Sequence, residues 1–339
     1  MQGDIKVVAR NKNNYYEFTL HRNLTILRGN SGSGKTKLFE LIADYNRFGK
    51  SSDAKVSCNC PVIAYDGRNW QRDISEIENS IVIVDEENSQ FINSVEFART
   101  IKGTSNYYLL ITRNYLPQLP YSVEEIYELS GKGKNKKFVK AYASSDFMYT
   151  RKPIKEYDFV PEIVITEDSK AGYQYWKHIC GQHSVECMTA ESKTSVYKTF
   201  SEHEGKKVLV IADGAAFGPE MERLVLKQEN SNKKLAICLP ESFEWLLLSS
   251  GILERSDVVG NIDFGNVRNL RLEIDSSVYF SWEQYFTELL ERITKDSRYC
   301  KYSKAKLPDF YTENSNVAKV LNLLKRIKFK NDSNEDTTK

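Results

Sequence analysis

The sequence has little that would direct the chain out of the cell or into a membrane. No stretch approaches 18 consecutive apolar residues, and the N-terminal residues lack the apolar core of a secretion signal. The six cysteines among 339 residues form no dense framework, which is typical of a reduced protein rather than one held together by disulfides. We therefore expect a cytoplasmic protein with no membrane association.

The sequence also lacks a strong overall charge. Its 48 lysine and arginine residues are almost balanced by 46 acidic residues, which gives a net charge of +2. Binding to DNA or RNA would therefore need a local basic patch. One such patch is the segment 295–330, where ten basic residues stand against three acidic ones and aromatic residues are interleaved. A solvated helix with an apolar underside explains the same pattern.

What the sequence does contain is a phosphate-binding pattern near its start. Residues 29–36 match G-x-x-x-x-G-K-[ST] at every fixed position. The apolar run 24–27 predicts a strand before the loop, and apolar residues at helical spacing from Leu38 predict a helix after it. This arrangement aims backbone N–H groups at a phosphate. The expected nucleotide-binding residues are Gly29, Asn30, Ser31, Gly32, Ser33, Gly34, Lys35 and Thr36.

Two residues of this loop have specific expected roles, and a later strand supplies the acids that complete the site. Lys35 would reach the β- and γ-phosphates, and the Thr36 hydroxyl would ligate Mg²⁺. A second buried strand ends in Asp85, the expected partner of Thr36 in holding the metal. Glu86 follows directly and would orient or deprotonate the attacking water. The sequence therefore predicts a nucleoside triphosphate with Mg²⁺ as cofactors. We expect ATP, although a loop that binds phosphates leaves the choice between ATP and GTP open.

Strand and helix patterns alternate along the chain, which predicts an α/β fold with mostly parallel sheets. Helices are predicted over 91–101 and 317–327 among others. Residues 112–114 end a predicted strand and are a candidate sensor of the γ-phosphate. The expected organisation is a nucleotide-binding domain over 1–150, a linker over 151–161, a second α/β domain over 162–275, a helical segment over 276–330 and a disordered tail over 331–339.

The first half resembles the P-loop ATPases of the ABC type, because a β-hairpin precedes the loop and a glutamate follows Asp85. That resemblance implies ATP hydrolysis. Only 44 residues (37–80) separate the loop from Ile81, too few for that family's helical subdomain with its signature motif. Residues 129–133 look like a signature but follow Asp85, and we interpret them as the turn of a lysine-rich hairpin over 124–143.

Two acids in the second half lie at the ends of predicted strands. Glu167 follows the strand 163–166, and Asp213 follows the strand 208–211. In this pattern the region 160–250 resembles the topoisomerase–primase (Toprim) domain, as it occurs fused to ATPases in the overcoming-lysogeny nucleases. The resemblance implies that Glu167 and Asp213 are catalytic ligands of Mg²⁺ in phosphodiester chemistry.

The second half departs from the Toprim pattern at two positions. Asp168 stands where the family usually has glycine, and Ala215 stands where the second aspartate of an Asp-x-Asp pair belongs. A single carboxylate holds a hard cation less well than a pair does. The domain therefore binds metal weakly, uses other acids such as Glu241 and Glu244, or is an inactive relative.

The sequence favours an ATPase whose nucleotide state controls a Toprim-like domain acting on DNA or RNA, in phage defence or DNA metabolism. The alternative is a nucleotide-gated regulatory protein whose second domain is inactive and docks a protein partner. A kinase-like phosphoryl transferase is a weaker hypothesis, because Glu86 indicates water as the acceptor. A homo-oligomer is expected, because the sequence reveals no arginine finger and such sites often borrow one from a neighbour.

Overall fold

The computed structural model describes residues 1–29, 32–86, 90–155, 157–253 and 270–330. The chain divides into two compact units, Met1–Ala141 with Asn266–Trp282 and Tyr142–Gly265 with Glu283–Lys339. Both units combine helices with a mixed β-sheet, so the prediction of an α/β fold is confirmed. In the described parts of the chain, no helix combines the length and apolar character needed to cross a membrane.

The first unit is built on a nine-stranded sheet. Its strands are β1 (Ile5–Arg10), β2 (Tyr15–Leu20), β3 (Leu24–Arg28), β4 (Lys55–Ser57), β5 (Val62–Tyr65), β6 (Ile81–Asp85), β7 (Tyr107–Ile111), β8 (Ile126–Ser130) and β9 (Asn135–Lys140). Its helices are α1 (Lys35–Phe48), α2 (Trp70–Glu76) and α3 (Val95–Ile101). The strand order is β4-β1-β2-β9-β8-β3-β7-β6-β5.

Five neighbouring strands of this sheet, β8-β3-β7-β6-β5, are parallel. Every residue of β3, β6 and β7 is buried, which is typical of parallel strands covered on both faces. Helix α1 packs its apolar side into the same core, through residues such as Leu38, Leu41 and Ile42. The carboxyl ends of β3, β6 and β7 therefore meet at one edge of the sheet.

The rest of the sheet contains antiparallel pairings of β1 with β2, of β1 with β4 and of β8 with β9, and a parallel pairing of β2 with β9. The β1–β2 and β8–β9 hairpins are the two that the sequence predicts. Strands β1 and β2 pair with Ile5 opposite Leu20, and β8 and β9 pair with Leu129 opposite Phe138. The rings of Phe18 and Phe138 stack at 4.4 Å between centroids, which fixes the β8–β9 hairpin against β2. The segment 129–133 is thus part of a hairpin in this structure.

The second unit contains a six-stranded sheet. Its strands are β10 (Ala143–Ser145), β11 (Met148–Thr150), β12 (Ile163–Thr166), β13 (Glu186–Thr189), β14 (Val208–Ile211) and β15 (Leu235–Cys238). Its helices are α4 (Ala171–Gln182), α5 (Lys193–Ser201), α6 (Met221–Asn230), α7 (Phe243–Ser249), α8 (Trp282–Thr294) and α9 (Asn314–Leu321). Strands β15-β14-β12-β13 are parallel neighbours, and β10 and β11 extend the sheet antiparallel to β15.

The structure differs from the sequence predictions at several boundaries. The first unit ends its main segment at Ala141 rather than at 150, because β11 pairs with β15 of the second sheet. The helix predicted over 91–101 begins only at Val95, because the Ser94 side chain caps it by accepting a hydrogen bond from Phe97 N.

The C-terminal segment also differs from its prediction. The helix predicted over 317–327 ends at Leu321, and the chain then turns so that Ile327 forms a β-bridge with Phe159. The expected helical segment 276–330 is divided between the two units after Trp282. The tail predicted to be disordered, 331–339, lies outside the described residues.

Candidate functional site

The glycine-rich loop follows the carboxyl end of β3, and α1 begins within it at Lys35. Gly29, Gly32 and Gly34 have φ values of +129°, +80° and +102°, a region of backbone space that residues with a Cβ rarely occupy. The two glycines that the pattern requires, Gly29 and Gly34, therefore have backbone conformations that favour glycine. Asn30 and Ser31 lie outside the described residues.

Lys35 folds back over the loop that carries it. Its Nζ donates to Gly29 O at 2.5 Å and to Ser33 Oγ at 3.1 Å, and the residue is only 7% exposed. The ammonium group is therefore held beside the backbone of the loop, which is where a bound phosphate would need it.

Tyr16 supports the loop from β2, a role that the sequence does not predict. Its hydroxyl donates to Gly34 O at 2.9 Å, and a Cβ added to Gly34 would lie 3.2 Å from the same hydroxyl oxygen. Burial, followed by the negative charge of Glu40, raises the pKa of Tyr16 to about 12. The hydroxyl thus remains a donor near neutral pH. No local pattern links Tyr16 to the loop, because the contact depends on how β2 lies against α1.

The acids predicted for this site lie on the same side of the sheet as the loop. Asp85 is the last residue of β6 and is 1% exposed, and β6 is separated from β3 by β7 alone. A cavity of about 190 Å³ is lined by loop residues together with the two acids and the end of β7. Its lining includes Gly32, Ser33, Gly34, Lys35, Thr36, Asp85, Glu86 and Arg113. The described residues predicted for this site therefore line one cavity, except Gly29, whose carbonyl oxygen contacts Lys35.

Glu86 is held in one orientation by the segment that follows β7. Its Oε2 accepts hydrogen bonds from Thr112 Oγ1 at 2.5 Å and from Asn114 Nδ2 at 3.1 Å, and its Oε1 accepts from Arg113 N at 2.8 Å. The residues proposed from sequence as a γ-phosphate sensor therefore contact the predicted catalytic acid directly. A change in the 112–114 segment would move the Glu86 carboxylate.

The two predicted acids of the second unit lie at the carboxyl ends of adjacent parallel strands. Strands β12 and β14 pair with Thr166 opposite Ile211, so the residues that follow them are neighbours. Asp213 N donates to Glu167 Oε2 at 3.3 Å. Both carboxylates line a small cavity of about 20 Å³, roughly the space of one water molecule.

Two further acids and a lysine surround this pair. Glu244 lies in the first turn of α7 and is 2% exposed, and Glu283 lies in the first turn of α8. The Lys304 ammonium is 2.9 Å from Glu283 Oε1 and 3.8 Å from Glu244 Oε1. We call Glu167, Asp213, Glu244 and Glu283 the acid cluster.

Both predicted acids titrate abnormally in this environment. Burial, followed by the negative charge of Glu283, raises the pKa of Glu167 to about 7. Burial raises the pKa of Asp213 well above its usual value, and the charges of Glu283 and Glu244 raise it further. The cause is crowding of carboxylates away from water.

Sequence analysis anticipated Glu244 but not Glu283 or Lys304. Both of the residues that the sequence did not predict come from chain segments beyond the region that resembles a Toprim domain.

Ala215 is 2% exposed, and its N–H donates to Glu241 O at 3.1 Å. Across the described residues, no group of three or more His, Cys, Asp or Glu side chains is arranged to hold a metal ion.

Part of the basic character predicted for nucleic-acid contact is neutralised by other contacts. In the β8–β9 hairpin, Lys140 pairs with Glu124 at 3.3 Å and donates to Tyr127 Oη at 2.9 Å. In the segment 295–330, Lys304 pairs with the acid cluster. These lysines contribute less to a basic surface than the sequence count suggests.

Comparison of the chain with protein families, with curated proteins and with solved structures finds no match. The resemblances to ABC-type ATPases and to Toprim domains therefore depend on the residues named above.

Proposed function

We propose that this chain binds ATP with Mg²⁺ at the loop 29–36 and hydrolyses it. The observation that carries the proposal is the cavity where Lys35 and Thr36 of the loop meet Asp85, the last residue of β6, and Glu86, which follows it. A glycine loop at the end of a parallel strand, one buried lysine and two strand-end acids are the components that phosphoryl transfer to water requires.

Each residue has a distinct role in this proposal. Loop N–H groups and the Lys35 ammonium bind the phosphate oxygens. Thr36 and Asp85 offer the hard oxygen ligands that suit Mg²⁺, which would neutralise negative charge on the β- and γ-phosphates. Glu86, oriented by Thr112 and the 113–114 backbone, accepts a proton from the attacking water.

The experiment compares wild-type protein with Lys35→Ala and with the control Lys50→Ala. Lys50 is exposed at the far end of α1 and does not line the cavity. We expect Lys35→Ala to lose ATP binding and hydrolysis while Lys50→Ala keeps both. If Lys35→Ala folds and hydrolyses ATP at the wild-type rate, the site assignment is wrong. Competition between ATP and GTP in the same binding assay tests which nucleotide base the site prefers.

We propose that nucleotide state controls the second unit, for which two functions are considered. Adjacent acids at the ends of β12 and β14 favour a Toprim-like domain that cleaves DNA or RNA with Mg²⁺, in phage defence or DNA metabolism. Ala215 at the position of the second aspartate favours a regulatory domain that docks a protein partner. Cleavage that depends on Mg²⁺ and disappears in both Glu167→Ala and Asp213→Ala would select the first function.

We also propose that the chain acts as a homo-oligomer in the cytoplasm, with a neighbouring copy supplying an arginine to the nucleotide. Arg113 lines the cavity of its own chain and is the internal alternative. Light scattering with and without a non-hydrolysable ATP analogue tests the assembly.

A further inference from the structure

We infer that the ammonium group of Lys304 is the resident cation of the acid cluster, and that the cluster takes no divalent metal ion. This inference does not rest on nucleotide binding by the first unit. It concerns the second unit alone, and it favours a binding or regulatory role there over metal-dependent cleavage.

The contacts of Lys304 place positive charge among the carboxylates. Its Nζ is 2.9 Å from Glu283 Oε1 and 3.8 Å from the buried Glu244 carboxylate. Burial alone would lower the pKa of Lys304, but the charges of Glu244 and Glu283 outweigh burial and raise it above its usual value. The lysine therefore remains charged, and its charge also lowers the pKa of Asp213.

One oxygen of each of three of these carboxylates already accepts a hydrogen bond from an N–H or O–H donor. Asp213 Oδ1 accepts from Phe243 N at 3.0 Å, and Glu167 Oε2 accepts from Asp213 N at 3.3 Å. Glu244 Oε1 accepts from the hydroxyl of Tyr302 at 2.7 Å, and Tyr302 is only 3% exposed. A metal ion bound to any of these three oxygens would compete with a donor that a buried carboxylate needs.

The composition of the site argues in the same direction. Ala215 supplies a methyl group where a second acid would stand, so one strand end offers one carboxylate instead of two. Mg²⁺ prefers about six oxygen ligands and retains several waters, whereas the cavity beside Glu167 and Asp213 measures about 20 Å³. A divalent ion there would also be repelled by the ammonium of Lys304. The residues present do not fit the metal that the Toprim resemblance implies.

The experiment measures Mn²⁺ binding by electron paramagnetic resonance in the full chain carrying Asp85→Asn, which removes the metal ligand of the first unit. In this background we expect Asp213→Asn and Glu167→Gln to leave Mn²⁺ binding unchanged, because the cluster binds none. We expect Lys304→Met to create a Mn²⁺ site that Asp213→Asn then abolishes. The control Lys306→Met removes an exposed lysine two residues away and should create no site.

Two results would overturn the inference. One is Mn²⁺ binding in the Asp85→Asn background that is lost on Asp213→Asn, since the cluster would then hold a metal beside Lys304. The other is a folded Lys304→Met protein without a new site, since Lys304 would then not be what excludes the metal.

A second variant and a second measurement keep the test decisive if Lys304→Met does not fold. Lys304→Gln removes the charge but keeps an N–H donor for Glu283, and it replaces Lys304→Met if circular dichroism shows that protein unfolded. Mg²⁺ should raise the melting temperature of the charge-removed variant and leave the background protein unchanged, because only a bound ion shifts stability by mass action. An equal shift in both proteins would overturn the inference.

Discussion

Replacing Glu167 with glutamine should stabilise this protein, and increasingly so as the pH rises. Glu167 is partly buried at the end of β12, and burial together with the negative charge of Glu283 outweighs the opposing effects of the Asp213 N–H and the Lys193 ammonium. The folded protein therefore favours the neutral form of this side chain. Glutamine is a neutral side chain of nearly the same shape, and its carbonyl oxygen can still accept the hydrogen bond from Asp213 N.

The sign and size of this stability difference follow from the pKa of Glu167, which rises from 4.5 in a free glutamate side chain to about 7 here. Stability linked to the protonated form is fully present below pH 4.5 and is lost as the pH rises through 7. At roughly 1.36 kcal/mol for each unit of pKa shift, ionisation costs the fold about 3 kcal/mol near pH 8 and about 1 kcal/mol near pH 5. We expect Glu167→Gln to be more stable than wild type by these amounts.

Urea denaturation of both proteins between about pH 5 and pH 8 measures the difference directly, because titrations of distant groups cancel between them. Glu202→Gln is the matched control, since Glu202 is exposed beyond the end of α5. Its free energy of unfolding should stay parallel to that of wild type. A Glu167→Gln protein that is less stable than wild type at pH 8, or equally stable at every pH, would refute the reasoning.

Four further variants test the first unit. Glu86→Gln should lower the rate of ATP hydrolysis by about 10²–10⁴-fold while ATP binding is retained. Thr112→Val should also lower the rate, because it releases the Glu86 carboxylate. An unchanged rate in Glu86→Gln would remove Glu86 from the mechanism. Tyr16→Phe should weaken ATP binding by about fivefold in calorimetry, because one hydrogen bond to the loop is worth about 1 kcal/mol; tighter binding would contradict a supporting role. Gly34→Ala should destabilise the protein by about 1–2 kcal/mol in thermal melting, because Gly34 has a left-handed backbone conformation. The control Gly181→Ala lies in a helix with open space around it and should be neutral or stabilising. Equal effects of the two substitutions would show that the Gly34 backbone is not strained.

The local elements of the nucleotide site could be predicted from sequence because each is encoded by a short run of residues. The loop 29–36 requires glycines at two fixed positions, and both of them, Gly29 and Gly34, have positive φ values in the structure. The run that ends in Asp85 is apolar throughout, as a strand buried on both faces must be. The two acids of the second unit are predicted in the same way, because each lies one or two residues after a buried strand.

Boundaries were less predictable where a tertiary contact overrides the local pattern. The apolar spacing of 317–327 continues through a helical period, but the chain leaves the helix so that Ile327 can bridge to Phe159. Similarly, residues 143–150 were assigned to the first domain, yet β11 pairs with β15. Such pairings join segments far apart in the chain, and their partners leave no mark in the local sequence.

The sequence by itself determined the glycine loop, the strands that present Asp85, Glu167 and Asp213, and the alternation that yields an α/β fold, because backbone conformation and burial act over a few residues. Only the tertiary structure decided that Glu86 is held by the end of β7 and that Lys304 lies within the acid cluster. The reason is that strand order and helix packing set the distances between remote charges, and those distances determine what each site can bind.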